Sequence, residues 1–209
     1  MKILNHLLAN FVSYSQDFED FILFYVFYDV ERGFYVDVGA NDPNFISVTK
    51  AFYERGWNGI NIEPLPYEHK LLLQNRKRDI NLRIGVGETD GSAKLRVQGL
   101  VSSLFYSKEI ENVSKIININ ITTMSKICRK YVPNGIQIQF CKIDVERSEK
   151  NVLLGFDFIN YRPKVFCIES LINKTTNIPE YKKWEFILTN NDYNLAYILE
   201  EIDFIMIIE

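Results

Sequence analysis

Histidine and cysteine are scarce in this chain, which has two histidines and three cysteines among its 209 residues. So few histidines make a histidine-based metal cluster or a Ser-His catalytic pair difficult to build. Cys128, Cys141 and Cys167 are odd in number and widely spaced, so they indicate buried, reduced thiols and not a disulfide or zinc framework. We therefore predict a cytoplasmic protein without a metal centre.

The chain also lacks a concentrated block of basic residues and a long apolar run. Its net charge is −3 at pH 7, and the short basic cluster at residues 76–78 predicts only a solvent-exposed helix end. This charge pattern disfavours nucleic acid as a partner. The apolar run at residues 21–28 is far shorter than the roughly 18 residues that a membrane-spanning helix needs, so we expect no membrane span. Polar residues interrupt the N-terminal apolar stretch, and we expect no secretion signal there.

Apolar segments of strand length alternate along the chain with segments that begin like helices. The predicted strands are residues 34–38, 59–62, 81–86, 136–145 and 164–169, and the predicted helices are residues 14–30, 47–55, 66–76, 123–131 and 149–155. Such alternation predicts an α/β fold with a mostly parallel sheet and helices on both faces. Hydrophobic residues make up 47% of the chain, enough for one core. We predict a single domain over residues 1–209, in which residues 1–33 form an N-terminal helical preamble.

Short links predict two antiparallel strand pairs. The turn at residues 89–92 is expected to join the third strand to residues 93–97 as a hairpin. Residues 193–199 and 204–208 are apolar and are separated by an acidic link that is too short for a parallel crossover. We therefore predict a seven-stranded sheet that ends in a C-terminal antiparallel hairpin.

Residues suited to ligand binding follow the first two predicted strands. In a parallel sheet the ligand lies beyond the carboxyl ends of the strands, where Asp37, Gly39 and Glu63 are placed. Gly39 allows the backbone to approach a ligand, and the neighbouring amides could bind a carboxylate or phosphate group. Glu63 could accept hydrogen bonds from both hydroxyls of a ribose. These features predict a cofactor that contains a ribose.

Glu63 does not by itself identify the cofactor, because nicotinamide-dependent oxidoreductases also have an acidic residue at the end of the second strand. Their pyrophosphate needs the pattern GxGxxG, whereas residues 39–44 read GANDPN and contain one glycine. An acidic residue two positions before the glycine suits a ligand with a sulfonium and an ammonium group, as in S-adenosylmethionine. We predict S-adenosylmethionine as the cofactor and keep the oxidoreductase as a less favoured alternative.

Six sequence blocks carry a pattern that extends from Tyr14 to about Tyr197. In chain order they are YSQDFEDFIL, FYVDVGAND, SVTKAFYERGWNGINIEPLP, RDINL, KIDVERSEKNVLLGFDF and RPKVFCIES. Together they resemble the FkbM family of S-adenosylmethionine-dependent methyltransferases, and six blocks in one order are more specific than any single motif. The resemblance implies a Rossmann-like methyltransferase fold. It also implies methylation of a hydroxyl group, often on the sugar of a glycan, glycolipid or natural product.

The resemblance assigns roles to the residues at the strand ends. The predicted cofactor contacts are Asp37, Gly39, Asn41, Glu63, Pro64 and Val86. Among them Asp37 would bind the methionine ammonium directly or through water, and Val86 would touch the adenine ring. Asp144 and Glu146, at the end of the fourth strand, are the predicted catalytic residues, because a buried carboxylate could accept the proton of a sugar hydroxyl.

The predicted acceptor is a small molecule or glycan, and the residues expected to contact it are Ser102, Ser103, Arg147 and Glu169. Arg147 is a departure, because the family commonly has glycine after the acid pair. An arginine at this place could bind an acidic sugar or phosphate through two hydrogen bonds. It also leaves an alternative open, a non-catalytic cofactor-binding or scaffold protein derived from a methyltransferase. The sequence does not predict the oligomeric state.

Overall fold

Helices and strands alternate along the computed structural model, which describes residues 11–97, 115–170, 172–173, 178–199 and 203–208. The strands are β1 Phe34–Val38, β2 Asn58–Ile62, β3 Ile80–Leu82, β4 Gly85–Val86, β5 Gly91–Val97, β6 Lys115–Thr122, β7 Ile138–Ile143, β8 Val165–Glu169, β9 Ile172–Asn173, β10 Ile178–Pro179, β11 Tyr193–Leu199 and β12 Asp203–Ile208. The helices are α1 Glu19–Val26, α2 Lys50–Glu54, α3 Pro66–Asn75, α4 Met124–Tyr131, α5 Glu149–Leu154 and α6 Glu185–Thr189, and a 3-10 helix, Glu180–Lys183, precedes α6.

Five parallel strands form the centre of the fold in the order β8-β7-β1-β2-β3. The predicted α/β fold with a parallel sheet is therefore confirmed. The chain runs outward from β1 through β2 to β3 and then returns to β7 on the other side of β1. This reversal creates a crevice at the carboxyl ends of β1 and β7, where ligands bind in open α/β sheets. At the edge next to β8, β12 pairs antiparallel with β8, and β11 pairs antiparallel with β12.

Two apolar cores cover the two faces of the sheet. Because side chains alternate along a strand, Val36 and Val38 of β1 face one core and Tyr35 faces the other. The first core contains residues of α4, α5 and α6, and the second contains residues of α1 and α2. Helices thus pack on both faces, as the alternating sequence pattern predicts.

Residues 91–97 belong to a small second sheet and not to the hairpin that the sequence predicts. The apolar run predicted as one strand over 81–86 splits into β3, in the main sheet, and β4, which pairs with β6. β5 also pairs with β6 and not with the third strand, so the predicted partner was wrong. β6 was not predicted, although its isoleucines at 117, 119 and 121 alternate with polar residues in the pattern of a strand.

The helix α1 begins later than the predicted residue 14 because a buried carboxylate organises the preceding segment. Asp20 is fully buried. Its side chain accepts hydrogen bonds from the amide of Tyr14, at 2.7 Å, and from the hydroxyls of Ser13 and Ser15, both at 2.7 Å. These bonds hold the backbone before α1 in a loop. Among the helices in the described ranges, none combines the length and apolar character needed to cross a membrane.

Gly39 follows β1 at the point where the backbone approaches the end of β7. Its φ is +80°, and a Cβ at this position would overlap the carbonyl oxygen of Asp144. Gly56 has a similar φ of +91°, but a Cβ there would meet no atom within 4 Å. A comparison of substitutions at the two glycines therefore distinguishes the effect of backbone strain from that of steric overlap.

We expect Gly56→Ala to lower the free energy of unfolding by about 1 kcal/mol, because an L-residue is strained at positive φ. We expect Gly39→Ala to cost at least about 2 kcal/mol more, because the overlap with Asp144 adds to the strain. Urea denaturation of both variants and the parent would measure the difference. Equal losses would contradict the close approach of the two strand ends.

Candidate active site

A cavity of about 480 Å³ opens at the carboxyl ends of the parallel strands, within the size range of small-molecule sites. Eight of the residues predicted from the sequence line it, namely Gly39, Asn41, Glu63, Pro64, Val86, Asp144, Glu146 and Glu169. Asp37 and Arg147 are not among the residues that line it. Ser102 and Ser103 lie outside the described residues.

Glu63 is a buried carboxylate on the cavity wall, 4% exposed. Its Oε2 accepts a hydrogen bond from the amide of Asn41 at 2.9 Å, and its Oε1 accepts one from the amide of Leu65 at 2.8 Å. Burial raises the pKa of this carboxyl to about 7, against the opposing effect of the two amides. Each carboxylate oxygen has a second lone-pair position, so Glu63 can still accept two hydrogen bonds from a ligand.

The backbone amides after β1 are already used inside the protein. Gly39 and Ala40 both donate to the carbonyl of Ile62, at 2.9 and 3.1 Å, and Asn41 donates to Glu63. These three amides therefore do not form an anion-binding loop. The sequence predicts that amides near Gly39 could bind a carboxylate or phosphate group, but these three already have partners at Ile62 and Glu63. The same geometry disfavours a pyrophosphate here.

Lys142 of β7 is a site residue that the sequence analysis missed. Its side chain is 12% exposed and lines the cavity. The ammonium donates to the carbonyl of Gly39 at 2.7 Å and lies 3.2 Å from Asp144 Oδ2 and 3.5 Å from Asp37 Oδ1. The sequence gives one signal for Lys142, its place in the run KID at the end of an apolar strand. A charged side chain within such a strand needs a buried partner.

Asp37 is almost completely buried beneath the site, with 2% of its surface exposed. Its Oδ2 accepts a hydrogen bond from the hydroxyl of Thr49 at 2.8 Å. Its Oδ1 has no hydrogen-bond partner among the described residues, and its nearest charge is Lys142. Asp37 thus does not line the cavity itself, but it attracts the ammonium of Lys142, which does.

Three carboxyl groups, those of Asp144, Glu146 and Glu169, approach one another with oxygen atoms within 4.8 Å. Burial and then the neighbouring charge of Asp144 raise the pKa of Glu169 well above its usual range, and the two groups share a hydrogen bond. Burial also raises the pKa of Glu146. Three carboxylates at this spacing could approach one cation. The Lys142 ammonium already supplies a positive charge beside Asp144.

Glu149, the first residue of α5, shapes the loop that carries these acids. It is buried, and its Oε1 accepts hydrogen bonds from the amides of Val145 at 3.3 Å and Arg147 at 3.0 Å. Burial raises its pKa to about 7. Within this loop Glu146 has φ of 53° and Arg147 has φ of 79°. A glycine adopts such angles without strain, whereas Glu146 and Arg147 adopt them at a cost in backbone energy.

Apolar residues complete the cavity. The small sheet contributes Val86, Leu95 and Ile119, all of which are buried. Phe45 and Ile46, in the segment after β1, also line the cavity but remain 59% and 42% exposed. An apolar wall and an exposed apolar rim suit a ligand with a flat aromatic base.

The basic cluster at residues 76–78 was predicted to be a solvent-exposed helix end, but its first residue, Arg76, is buried. It is 2% exposed. Its guanidinium donates to the carbonyl of Pro43 at 2.7 Å and to the hydroxyl of Ser47 at 2.9 Å, and it therefore fastens the segment that carries Phe45. The sequence missed this role because a short basic cluster at a helix end usually faces solvent.

The position and chemistry of this cavity define a class of protein. A ligand-sized pocket at the switch point of a parallel sheet, with a buried glutamate suited to a ribose, is typical of nucleoside-binding α/β proteins. A comparison with family models narrows the class. The model of the Methyltransferase FkbM domain matches residues 37–195, more than two thirds of the chain, and the chain therefore belongs to the FkbM methyltransferase family. A search among curated proteins gave no significant match.

We expect Arg76→Met to lower the free energy of unfolding by about 2–4 kcal/mol, because it leaves buried acceptors in the 43–49 segment without a donor. Arg78→Met is the matched control, since Arg78 also stacks on Tyr53 but is exposed. Its loss should stay below about 1 kcal/mol. Urea denaturation followed by tryptophan fluorescence would compare them, and similar losses would contradict the role of Arg76.

Proposed function

We propose that the protein is an S-adenosylmethionine-dependent O-methyltransferase that acts on a hydroxyl group of a saccharide or glycoconjugate. The observation that carries the cofactor assignment is the geometry of Glu63. Both of its oxygens are held by backbone amides, and both retain a position for a hydrogen bond at the cavity. The acceptor class rests on membership of the FkbM family.

The cavity fits the parts of this cofactor. Glu63 would accept hydrogen bonds from the two ribose hydroxyls, and Val86 with its apolar neighbours would contact the adenine. The carboxylates of Asp144 and Glu146 favour positive charge nearby. By contrast, a dinucleotide would need amides for its pyrophosphate, and the amides of residues 39–41 are engaged. The residues present therefore support a sulfonium nucleoside over a nicotinamide dinucleotide.

When bound, this cofactor would supply an electrophilic methyl group on a sulfonium, whose sulfur is the leaving group for an attacking acceptor oxygen. The acceptor hydroxyl must lose its proton to a base in the protein. Asp144 is already engaged with Lys142 and Glu169, so Glu146 is the better placed of the two predicted catalytic residues to take that proton. Its raised pKa strengthens it as a base.

Glu169 has a different role in this proposal from that of a base. Burial and the neighbouring charge of Asp144 raise its pKa, so Glu169 favours the protonated form that can donate a hydrogen bond to Asp144. This bond fixes the carboxyl group that faces the acceptor. Alignment of two reactants supplies up to roughly 7–11 kcal/mol of a barrier, so residues that fix the geometry matter as much as the base.

The fold supports the proposal beyond the site. Antiparallel pairing of β11 and β12 beside β8 would close a seven-stranded sheet of the Rossmann-like methyltransferase type. We propose that residues 1–209 act as one methyltransferase domain on this framework. Contacts of Ser102, Ser103 and Arg147 with the acceptor remain predictions, as does an acidic acceptor for Arg147. A non-catalytic scaffold remains the alternative that binding and turnover would separate.

We expect calorimetric titration to show saturable binding of S-adenosylmethionine and S-adenosylhomocysteine and no binding of NAD. Glu63→Ala should weaken binding of both sulfur nucleosides by at least about tenfold, because it removes two charge-assisted hydrogen bonds to the ribose. Glu149→Ala is the matched control. Glu149 is also buried, also accepts two amide hydrogen bonds and also has a pKa raised to about 7, but it does not line the cavity.

The outcomes of this titration are distinct. Binding of the two sulfur nucleosides that depends on Glu63 and much less on Glu149 would justify a screen of sugar acceptors for turnover. Binding without turnover on any acceptor would favour the scaffold. Absence of binding by either sulfur nucleoside would overturn the proposed function.

The pKa of Glu63 predicts how cofactor affinity depends on pH. Above pH 7 the group is a carboxylate that accepts two hydrogen bonds from ribose, and below pH 7 protonation removes one acceptor. The dissociation constant should therefore be about tenfold larger at pH 6 than at pH 8. Glu63→Gln, which does not titrate, should bind weakly at both pH values. A parent protein whose affinity is flat over this range would contradict the role of Glu63.

A further inference from the structure

We propose that Lys142 binds the carboxylate of the amino-acid part of the cofactor and that Asp37 acts as its positioning residue. This inference rests on the proposed function, because it concerns S-adenosylmethionine and the same cavity. It assigns a contact that the sequence analysis did not make. It also changes the role of Asp37 from a direct contact with the methionine ammonium to a residue that acts through Lys142.

The described residues that line the cavity include one cationic partner for the carboxylate of the cofactor. Among the described residues that line it, five are acidic and only Lys142 is cationic. The acidic residues are Asp42, Glu63, Asp144, Glu146 and Glu169. The sulfonium and ammonium of the cofactor match the ionised acids of this set, which would repel its carboxylate. A neighbouring cation would offset this repulsion, and Lys142 is the one described lining residue that supplies it.

The three backbone amides that follow β1 do not replace Lys142 in this role. The amides of Gly39, Ala40 and Asn41 donate to Ile62 and Glu63, so they are engaged before a ligand arrives. In many nucleoside-binding loops these amides would bind the anionic group. Here the chain uses them to fix the loop. The anionic group of the ligand is left with the side-chain ammonium next to that loop.

The contacts of Lys142 hold its ammonium at the cavity and leave it able to donate further. Two of its three donors have acceptors at hydrogen-bond distance, the carbonyl of Gly39 and Asp144 Oδ2. The third contact is with Asp37 Oδ1 at 3.5 Å, and that oxygen accepts no hydrogen bond among the described residues. Asp37 therefore attracts the ammonium without consuming its third donor. That donor is available to a carboxylate in the cavity.

Lys142 keeps its positive charge at all pH values of interest. Burial opposes the charge, but Asp144 and Asp37 overcome this effect and raise the pKa of the lysine above its ordinary value. Glu169 also contributes in the same direction. Lys142 also lowers the pKa of Glu63 and of Glu146, so its charge environment includes five carboxyl groups. A permanent ammonium in a partly dry site makes a strong hydrogen bond to a carboxylate.

Three ligands would test the proposal by calorimetry. S-adenosylmethionine carries the carboxylate, decarboxylated S-adenosylmethionine lacks it but keeps the sulfonium and amine, and 5′-methylthioadenosine lacks the whole amino-acid part. The parent protein should prefer S-adenosylmethionine over the decarboxylated form by at least about tenfold, because only the former pairs with Lys142. Equal or tighter binding of the decarboxylated form by the parent would overturn the proposal without any variant.

Substitutions at position 142 would then identify the responsible group. Lys142→Met should abolish or reverse the preference, because the acidic wall favours the more positive decarboxylated ligand, while binding of 5′-methylthioadenosine stays within about twofold. Lys142→Arg should keep the preference. Lys142→Gln, which retains a donor without charge, should lose it, and it replaces the methionine variant if that variant does not fold. A preference that survives in a folded neutral variant would overturn the proposal.

Asp37→Asn provides the test of positioning. It should reduce the preference for the carboxylate-bearing ligand several-fold and leave 5′-methylthioadenosine binding unchanged, a pattern that general loss of stability would not produce. Failure of the proposed function and failure of the role of Lys142 are distinguishable. If none of the three nucleosides shows binding that depends on Glu63, the proposed function itself is defeated. Glu63-dependent binding of all three ligands with no preference for the carboxylate defeats only the role of Lys142.

Discussion

The close approach of two strand ends is the constraint on which the site depends. Gly39, after β1, lies against the carbonyl of Asp144, after β7, with no room for a side chain between them. Lys142 joins the same two segments by donating to the carbonyl of Gly39 and pairing with Asp144. The cavity is formed beside this contact. A change that separated the two segments would therefore disturb the predicted cofactor contacts and the carboxylates together.

Buried carboxylates serve the protein first as acceptors for its own backbone. Asp20, Glu63 and Glu149 each accept amide hydrogen bonds from a loop that has no regular structure to satisfy it. For Glu63 and Glu149 this arrangement has an electrostatic cost, seen in pKa values raised to about 7 by burial. The amides offset part of that cost. Glu63 differs from the other two because it also faces the cavity, so one residue can both shape a loop and bind a ligand.

The strand ends of the site were predictable because their signals are local. An apolar run that stops at Asp37 and Gly39, and another that stops at Glu63, are visible in the sequence, and parallel pairing places them at one edge. The site role of Lys142, the burial of Arg76 and the hydrogen bonds of Glu149 to its loop were not predictable in this way. Their partners are between 2 and 103 residues away, and the short-range case, Glu149, lies in a loop whose positive φ angles the sequence does not show.

The sequence by itself determined the alternation of strands and helices, the family to which the chain belongs, and the acidic residues at the carboxyl ends of the strands. These follow from periodicity and short motifs, which act between neighbours in the chain. The tertiary structure decided which groups face the cavity and which are consumed within the protein. It placed Asp37 behind Lys142, engaged the amides after β1, and removed β4 and β5 from the main sheet. The physical reason is that burial and hydrogen-bond partners are set by segments far apart in sequence, and a local pattern contains no information about them.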